Sequence, residues 1–557
     1  AATAVAAAGF ELKNKGTWDG MRYSLKDCYY SDFSIIDKNR LEPRSYFIPY
    51  PSREAQEGIP LTEKRYKSPL VRCLNGDWDF KYFNDPNKLP LEFDSSDIDF
   101  DKIDVPSVWQ YRGYSHPMYL NVRYPFPYKP PVIPTTEPVK GYFSLLDGFK
   151  KAPSDEMNHA GLYRMFFDVQ FENEAPAIKA LDNADAGTKK RYVLSFLGVC
   201  SCIEVHVNGI FTGFSEESHN TSEFDITQAV KNGRNELVCV VRRWCSGSYL
   251  ECQDMFRNNG IFRDVLLRIS DVNDVWDIDF KTRPVHMGEG AGSDIYDACV
   301  KAFLPDGEKV KFSLEGNGLC LTAEAVSKDG EAKADFTSLE VLSWNAEKPV
   351  LYDLYIETRY SCVHQSVGFK SIDVRGNLFL LNGRKIKFKG VNHHDTDAAN
   401  GYCMTASEIE RDLKLCKAFN IDTVRTAHYA PDPLMLELAA RLGLYIVDEV
   451  DIETHGVLVG RFPPGYNRLS NDKKWKSRYL SRTVRHYHRD KVLATPVVMW
   501  SLGNESGAGC NTDAAYEFFK SVSDIPVHYE SAIYTKRKAY DIASRMYPPV
   551  SELHDIG

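Results

Sequence analysis

The chain has 557 residues, of which 43% are hydrophobic, 26% charged and 12% aromatic. That length exceeds one hydrophobic core and implies three or four domains, and the balance excludes a disordered chain. No run of about 18 apolar residues offers a membrane-spanning helix, and a net charge of −9 with both signs interspersed argues against a face that neutralises nucleic-acid phosphates.

The opening AATAVAAAGF has no Met and lacks the basic flank and long apolar stretch of a secretory signal, so it reads as a processed or internal start. Residues 1–65 are polar and broken by Pro43, Pro49, Pro51 and Pro60, which predicts an irregular extended arm. From 66 to 273 short alternating runs, such as Ile203 to Val207, are separated by turns at Asn75-Gly76, Asn208-Gly209 and Asn232-Gly233. This is the pattern of an all-β sandwich, interrupted by a Pro-rich loop from Tyr124 to Pro134 and a polar insertion around Asp147 to Asn158. A second β unit of Ig-like size spans 274–374. Thirteen cysteines is an odd number, no Cys-x-x-Cys occurs, and the thiols are scattered, so they are expected reduced and mostly buried.

After Gly376 strands alternate with helices, predicting a (β/α)₈ barrel over 375–557. Ile386 to Val391 reads as a strand, and Thr405-Ala406-Ser407-Glu408 is a capping box opening a helix. Thr423 to Arg425 is a strand, and Asp432-Pro433 starts a helix that Gly443 stops. Leu444 to Asp448 is a strand, followed by a long helix with Trp475, Tyr479 and Val484 on one side. The strand Val497 to Trp500, a helix around Ala514 to Val522, and strands at Val527 to Tyr529 and Asp541 to Tyr547 complete the pattern. That is six strands in roughly 180 residues, where a whole barrel takes about 250, so the barrel is expected to be incomplete. An open doubly wound sheet is the alternative, without the Gly-rich phosphate turn that would support it.

The strand ends carry the chemistry. They read Asn392-His393-His394-Asp395, Ala427-His428-Tyr429, Asp448-Glu449-Val450-Asp451-Ile452-Glu453-Thr454-His455, and Gly503-Asn504-Glu505-Ser506. Four successive β-α junctions thus deliver imidazoles and carboxyls to one rim, where barrel chemistry sits. Glu505, at the end of an apolar strand, stands where desolvation favours the protonated acid that general acid catalysis requires. Glu453 and His455 face the same way on an extended segment. With Glu505 or water they suit one hard divalent ion, or they hydrogen-bond each other. No His-Glu-x-x-His, Gly-x-Ser-x-Gly or phosphate loop occurs, which leaves zinc proteases, serine hydrolases and nucleotide enzymes without support. Asn220-Thr221-Ser222 and Asn504-Glu505-Ser506 match the glycosylation acceptor pattern. A glycan on Asn504 would block the acid beside it, which favours a cytoplasmic or other non-secretory compartment.

These motifs resemble glycoside hydrolase family 2, in particular its large β-galactosidases, from about Arg40 to the end of the chain. In the first sandwich the resemblance rests on Leu74-Asn75-Gly76-Asp77-Trp78, Val105-Pro106-Ser107-Val108-Trp109-Gln110, Tyr119-Leu120-Asn121-Val122-Arg123-Tyr124-Pro125 and Gln253-Asp254-Met255. It continues through Gly260-Ile261-Phe262-Arg263-Asp264, Trp344-Asn345-Ala346-Glu347-Lys348-Pro349 and the barrel motifs. It implies a jelly-roll sugar-binding domain, an Ig-like β-sandwich and a partial TIM barrel, acting on terminal β-D-galactosides such as lactose. By position, Glu505 resembles the general acid/base and Asn504 the neighbour that binds the sugar 2-hydroxyl. Glu453, His455 and Glu505 resemble a Mg²⁺ site, and Asp254 both a galactose ligand and part of a Na⁺ site. His394, His428, Asn121 and Tyr547 resemble substrate-binding positions, Tyr547 being the one that bonds the nucleophile. Asn121 and Asp254 favour a β-galactosidase over β-glucuronidases and β-mannosidases.

There are departures. His393 stands where an Arg is usual, Ala427 where a Ser is usual and Ala508 where a His is common. The family's nucleophilic Glu lies on the seventh strand, beyond the position of Tyr547, and this sequence ends first. Retaining hydrolysis needs two carboxyls about 5 to 5.5 Å apart. Glu530 is the tempting substitute, but on a fifth strand it reads as structural. The chain alone is therefore expected to be inactive. The resemblance also implies a homo-oligomer or a complementing C-terminal chain. The competing reading is a non-catalytic structural or carbohydrate-binding subunit of a larger assembly.

Overall fold

A computed structural model describes residues 20–26, 28–134, 157–170, 189–287, 294–458, 467–530 and 540–552. The first sandwich packs a seven-stranded sheet against a four-stranded one. Strand alternation drives this. Trp78 and Phe80 from the first sheet and Tyr192, Leu194 and Phe196 from the second point into one core. Asn208 and Gly209 both take positive φ (52° and 81°), giving the tight hairpin between Cys202–Val207 and Ile210–Glu216. The Pro-rich loop is well packed, with Tyr124 and Phe126 buried against Tyr249. The polar insertion lies mostly outside the described residues. The second sandwich sets a three-stranded sheet over a five-stranded one, around Tyr296, Phe312, Leu354 and Val367.

The arm departs from its irregular reading. Arg22–Ser24 pairs with Glu92–Asp94, Asp37–Lys38 forms an edge of the seven-stranded sheet, and Pro49–Tyr50 forms an edge of the five-stranded sheet. Proline is tolerated at edges because an edge strand can spare a donor, so the prolines that broke the pattern are compatible with edge pairing. Buried Arg40 bonds Ser215 and Glu217, and the Tyr46 N–H donates to the Arg489 carbonyl of the barrel. The arm therefore straps the sandwiches to the barrel.

Six parallel strands make the barrel sheet: β1 (Gly390–His393), β2 (Thr423–Thr426), β3 (Tyr445–Glu449), β4 (Val497–Ser501), β5 (Val527–Tyr529) and β6 (Ile542–Ala543). Helices α1 (Ala406–Ala418), α2 (Pro433–Leu442), α3 (Lys476–Asp490) and α4 (Cys510–Val522) cover them. The predicted caps form: Thr405 and Glu408 bond reciprocally, Asp432 accepts from the Leu434 N–H, and Gly443 ends α2 at φ +74°. Among the described residues β1 and β6 each have one neighbour, so the sheet is not closed. Two boundaries differ from expectation. β1 begins at Gly390 because Ile386 and Phe388 instead pack under the sheet against Trp344, Tyr445 and Val447. β6 is confined to Ile542–Ala543, since only those residues register with β5.

Candidate active site

The end of β4 sets the geometry. Gly503 takes φ +128°, and a Cβ there would meet the Ile452 carbonyl oxygen at 2.4 Å, so only glycine lets the two strand ends approach. Asn504 and Glu453 then form a backbone bridge, and Glu453 forms another with Glu251 of the first sandwich. The Glu453 N–H donates to the Leu250 carbonyl at 2.7 Å, and the Cys252 N–H to the Glu453 carbonyl at 2.9 Å. A segment of the sandwich is thereby laid alongside the barrel rim.

Three side chains converge there. His455 Nδ1 lies 2.7 Å from Glu505 Oε2 and 3.9 Å from Glu453 Oε1, and the three ligand atoms sit within 4.8 Å of one another. The close His455–Glu505 approach lacks hydrogen-bond alignment, and Glu453 Oε1 is buried with no partner. Asn504 Nδ2 donates to Glu453 Oε2 at 2.8 Å. Burial, then the adjacent Glu505 carboxylate, push the Glu453 carboxyl well above its usual range.

Behind this cluster lies a network of charged and polar groups. Glu449, on β3 and fully buried, accepts from Arg425 at 2.7 and 3.0 Å, from Ser501 at 2.6 Å, and meets His428 Nδ1 at 2.7 Å. Burial alone would raise its carboxyl, but Arg425 and His428 hold it well below the carboxylate range. Arg425 also donates to Asn504 Oδ1 at 3.1 Å, linking the network to the acid's neighbour. His394 and His428 stand edge to face, 5.5 Å between centroids. Burial, then the charge of His428, depress His394 to about 4. At His393, burial disfavours the imidazolium, but Asp395 and Asp412 outweigh it and raise its pKa.

From the sandwich, Met118–Leu120 pairs with Met255–Arg257, Leu120 opposite Met255, so Asn121 and Asp254 lie just past the same end of that ladder. Tyr119 donates its hydroxyl to Asp254, whose charge acts on His394 across the domain boundary. Asn121 is half-buried and its Oδ1 accepts from the Val122 N–H at 2.7 Å.

A family profile described as "Glycosyl hydrolases family 2, TIM barrel domain" matches residues 372–557, and the corresponding "sugar binding domain" profile matches 71–167 and 177–270. The chain belongs to glycoside hydrolase family 2. A β-galactosidase of Actinobacillus pleuropneumoniae is 34% identical over 536 residues, covering 91% of this chain and 48% of that protein. One from Staphylococcus xylosus is 33% identical, covering 95% of this chain and 50% of that protein. The chain thus spans about half the length of the curated relatives it matches. In fold it resembles a β-glucuronidase of Bifidobacterium dentium, with TM-score 0.59 and 19% identity over 82% of this chain and 74% of that one. It also resembles a family 2 member from Bacteroides cellulosilyticus, with TM-score 0.58 and 18% identity over 87% of this chain and 62% of that one.

Within this family 2 chain the structure gathers Glu505, Asn504, Glu453, His455, His394 and His428 at one barrel rim, with Asp254 facing them. It does not bring Tyr547 in: that side chain is 93% exposed beyond β6, where no further described strand follows. Glu530 is buried, and its Oε2 accepts the Glu505 N–H at 3.1 Å. Sequence reasoning assigned no role to Glu449 and Arg425. The signal was present, because Arg425 is central in β2 and Glu449 ends β3 on its barrel-facing side. The thirteen cysteines are all free, and Asn220 and Asn504 are each 2% exposed, which leaves no room for glycans on the folded chain.

Proposed function

We propose that this chain supplies the acid/base half of a retaining β-galactosidase site. Protonated Glu505 donates to the glycosidic oxygen as the bond to the sugar breaks, and its carboxylate then takes a proton from the water that releases galactose. The observation that carries the reading is the joint placement of Glu505, Asn504 and His428 on the barrel rim with Asp254 delivered from the sandwich. Asp254 also supports a neutral sugar: a carboxylate there accepts sugar hydroxyls and repels the carboxylate of a uronic acid.

The attacking carboxylate comes, in this reading, from polypeptide beyond the described residues. The described carboxyls around Glu505 are otherwise engaged: Glu449 by Arg425, His428 and Ser501, Glu530 by the Glu505 N–H, and Glu453 in the three-residue cluster. That cluster fits Mg²⁺. It offers two carboxyl oxygens and an imidazole nitrogen, one oxygen is an orphan, and a cation would relieve the repulsion between Glu453 and Glu505. When bound, the ion supplies positive charge that favours the Glu505 carboxylate. Asp254 is the described residue that would serve a Na⁺ site.

The test is turnover of nitrophenyl β-D-galactoside and nitrophenyl β-D-glucuronide by the 557-residue chain, alone and with a polypeptide carrying the remaining barrel strands. No turnover alone and galactoside turnover after complementation is expected. Robust turnover by the chain alone would overturn the division of the carboxyls, glucuronide selectivity the substrate, and inactivity after stable complementation the catalytic reading in favour of a binding subunit.

A further inference from the structure

On the far side of the first sandwich's smaller sheet, a partly enclosed cavity of about 40 Å³ opens where the arm, that sheet and α3 meet. Four arginines line it: Arg44 from the arm, Arg268 from the sheet, and Arg485 and Arg489 from α3. Two of these are matched: Arg44 grips Glu223 at 2.7 and 2.9 Å, and Arg489 grips Asp490. The other two are not. Among the described residues no carboxylate forms an ion pair with Arg268 or Arg485, and each donates instead to a backbone carbonyl, Val275 at 2.6 Å and Leu41 at 3.1 Å.

Arg268 is 3% exposed, and its Nε and Nη1 have no hydrogen-bond partner. The Thr221 hydroxyl, also in the cavity wall, is buried without a partner. Of the nearby acids, Glu223 accepts from Ser195 as well as Arg44, Asp274 accepts from Thr358 and Ser361, and Glu42, also in the cavity wall, is exposed to solvent and forms no ion pair with Arg268 or Arg485 among the described residues. A buried guanidinium with two idle donors is costly unless something accepts from it. Burial, then the charge of Arg44, depress Arg268 to about 9, and burial, then Arg40, depress Arg485 to about 10. Those shifts show that burial outweighs the pull of the nearby acids on both guanidinium groups.

We propose that this cavity binds a small inorganic anion of halide size, held by Arg268, Arg485 and the Thr221 hydroxyl, which joins the arm to α3. The space holds one or a few water-sized species and excludes a sugar. The site is separate from the Glu505 cluster, so it stands whether or not the proposed hydrolytic activity does.

Two measurements on the intact chain test it. The first is the melting temperature in sodium chloride against sodium gluconate at equal ionic strength. A saturable chloride-specific rise is expected, with apparent affinity at least tenfold weaker in Arg485→Met and measurably weaker in Thr221→Val, a substitution mild enough to preserve the fold. Identical curves in the two salts, or an unchanged chloride response in both variants, would overturn the proposal. The second is anomalous diffraction from bromide-soaked crystals. A peak within contact distance of Arg268 and Thr221 is expected, and bromide sites found only elsewhere would overturn it.

Discussion

The backbone N–H of Glu505 donates to the carboxylate of Glu530 at 3.1 Å, joining the end of β4 to the end of β5. Glu505 itself sits at φ +28°, a conformation that non-glycine residues adopt at a cost and hold only when neighbours enforce it. Glu530 is one such neighbour. Glu530→Ala should leave the N–H without its acceptor and cost roughly 1–3 kcal/mol of stability. Glu530→Gln keeps an acceptor oxygen and should cost less. In the complemented enzyme the alanine variant should lower kcat more than it raises KM, because the acid would be displaced while the sugar contacts stay. Equal melting temperatures for the two variants would show that the bond does not hold the loop.

Glu453 ties the metal reading to stability. An orphaned, fully buried carboxyl oxygen beside a second carboxyl is unfavourable without a cation. Adding Mg²⁺ should therefore raise the melting temperature. A ligand at about 100 times its Kd stabilises by about 2.7 kcal/mol. Glu453→Gln removes the carboxyl whose ionisation burial and Glu505 oppose, so it should melt higher than the unsubstituted chain without metal and lose the Mg²⁺ response. A response that persists in both Glu453→Gln and His455→Ala would place the ion elsewhere.

The caps at Thr405, Asp432 and Gly443, the order of two sandwiches and a barrel, and the rim positions of Glu505 and His428 were legible because each rests on local chemistry: a turn, a cap or a strand end. What was not legible depends on partners far away in sequence. Arg425 and Glu449 read as ordinary strand polars until β2 and β3 register side by side and bury both. The arm's prolines suppress any periodic signal, yet its residues find edge partners up to several hundred positions away, as Pro49 does opposite Val363. Ile386 and Phe388 alternate as a strand would, but they pack under the barrel sheet against Trp344, Tyr445 and Val447.

Acid should unfold this chain steeply, and the sign follows from the histidines. Burial is the leading cause holding His159, His394, His488 and His528 at about 4, below the ordinary 6.5. Above pH 6.5 both folded and unfolded chains carry these rings neutral. As pH falls from 6.5 to about 4 the unfolded chain takes up protons that the folded chain refuses, so stability is lost across that window. His528, the most deeply buried of the four, alone accounts for on the order of 3 kcal/mol. Glu449, held low by Arg425 and His428, adds a further loss below the usual carboxylate range. Melting temperatures recorded from pH 7.5 to 4.5 should fall most rapidly below 6.5, and less so in His528→Gln. A flat profile to pH 5 would contradict the burial of these rings.

Arg65 offers the sharpest test of the arm as a strap. The residue is 6% exposed, and its guanidinium bonds Asp432 at 2.7 and 3.0 Å and Asp264 at 2.9 Å, joining the arm, the first sandwich and the N-terminus of α2. Asp432 simultaneously caps α2 through the Leu434 N–H at 2.9 Å. Arg65→Ala leaves two carboxylates buried without their cation, and breaking such a pair typically costs about 3–5 kcal/mol. Arg65→Lys keeps the charge but loses the forked geometry, so it should recover only part of that. A chain of several domains need not unfold in one step, so a single unfolding energy is a poor readout, and hydrogen–deuterium exchange is the better one. In Arg65→Ala, exchange should accelerate together at the first turn of α2 and at residues 61–70, while the core strand Gly233–Arg242 stays protected. Acceleration confined to the arm would mean that α2 holds its cap without Arg65 and that the strap carries no load at this point.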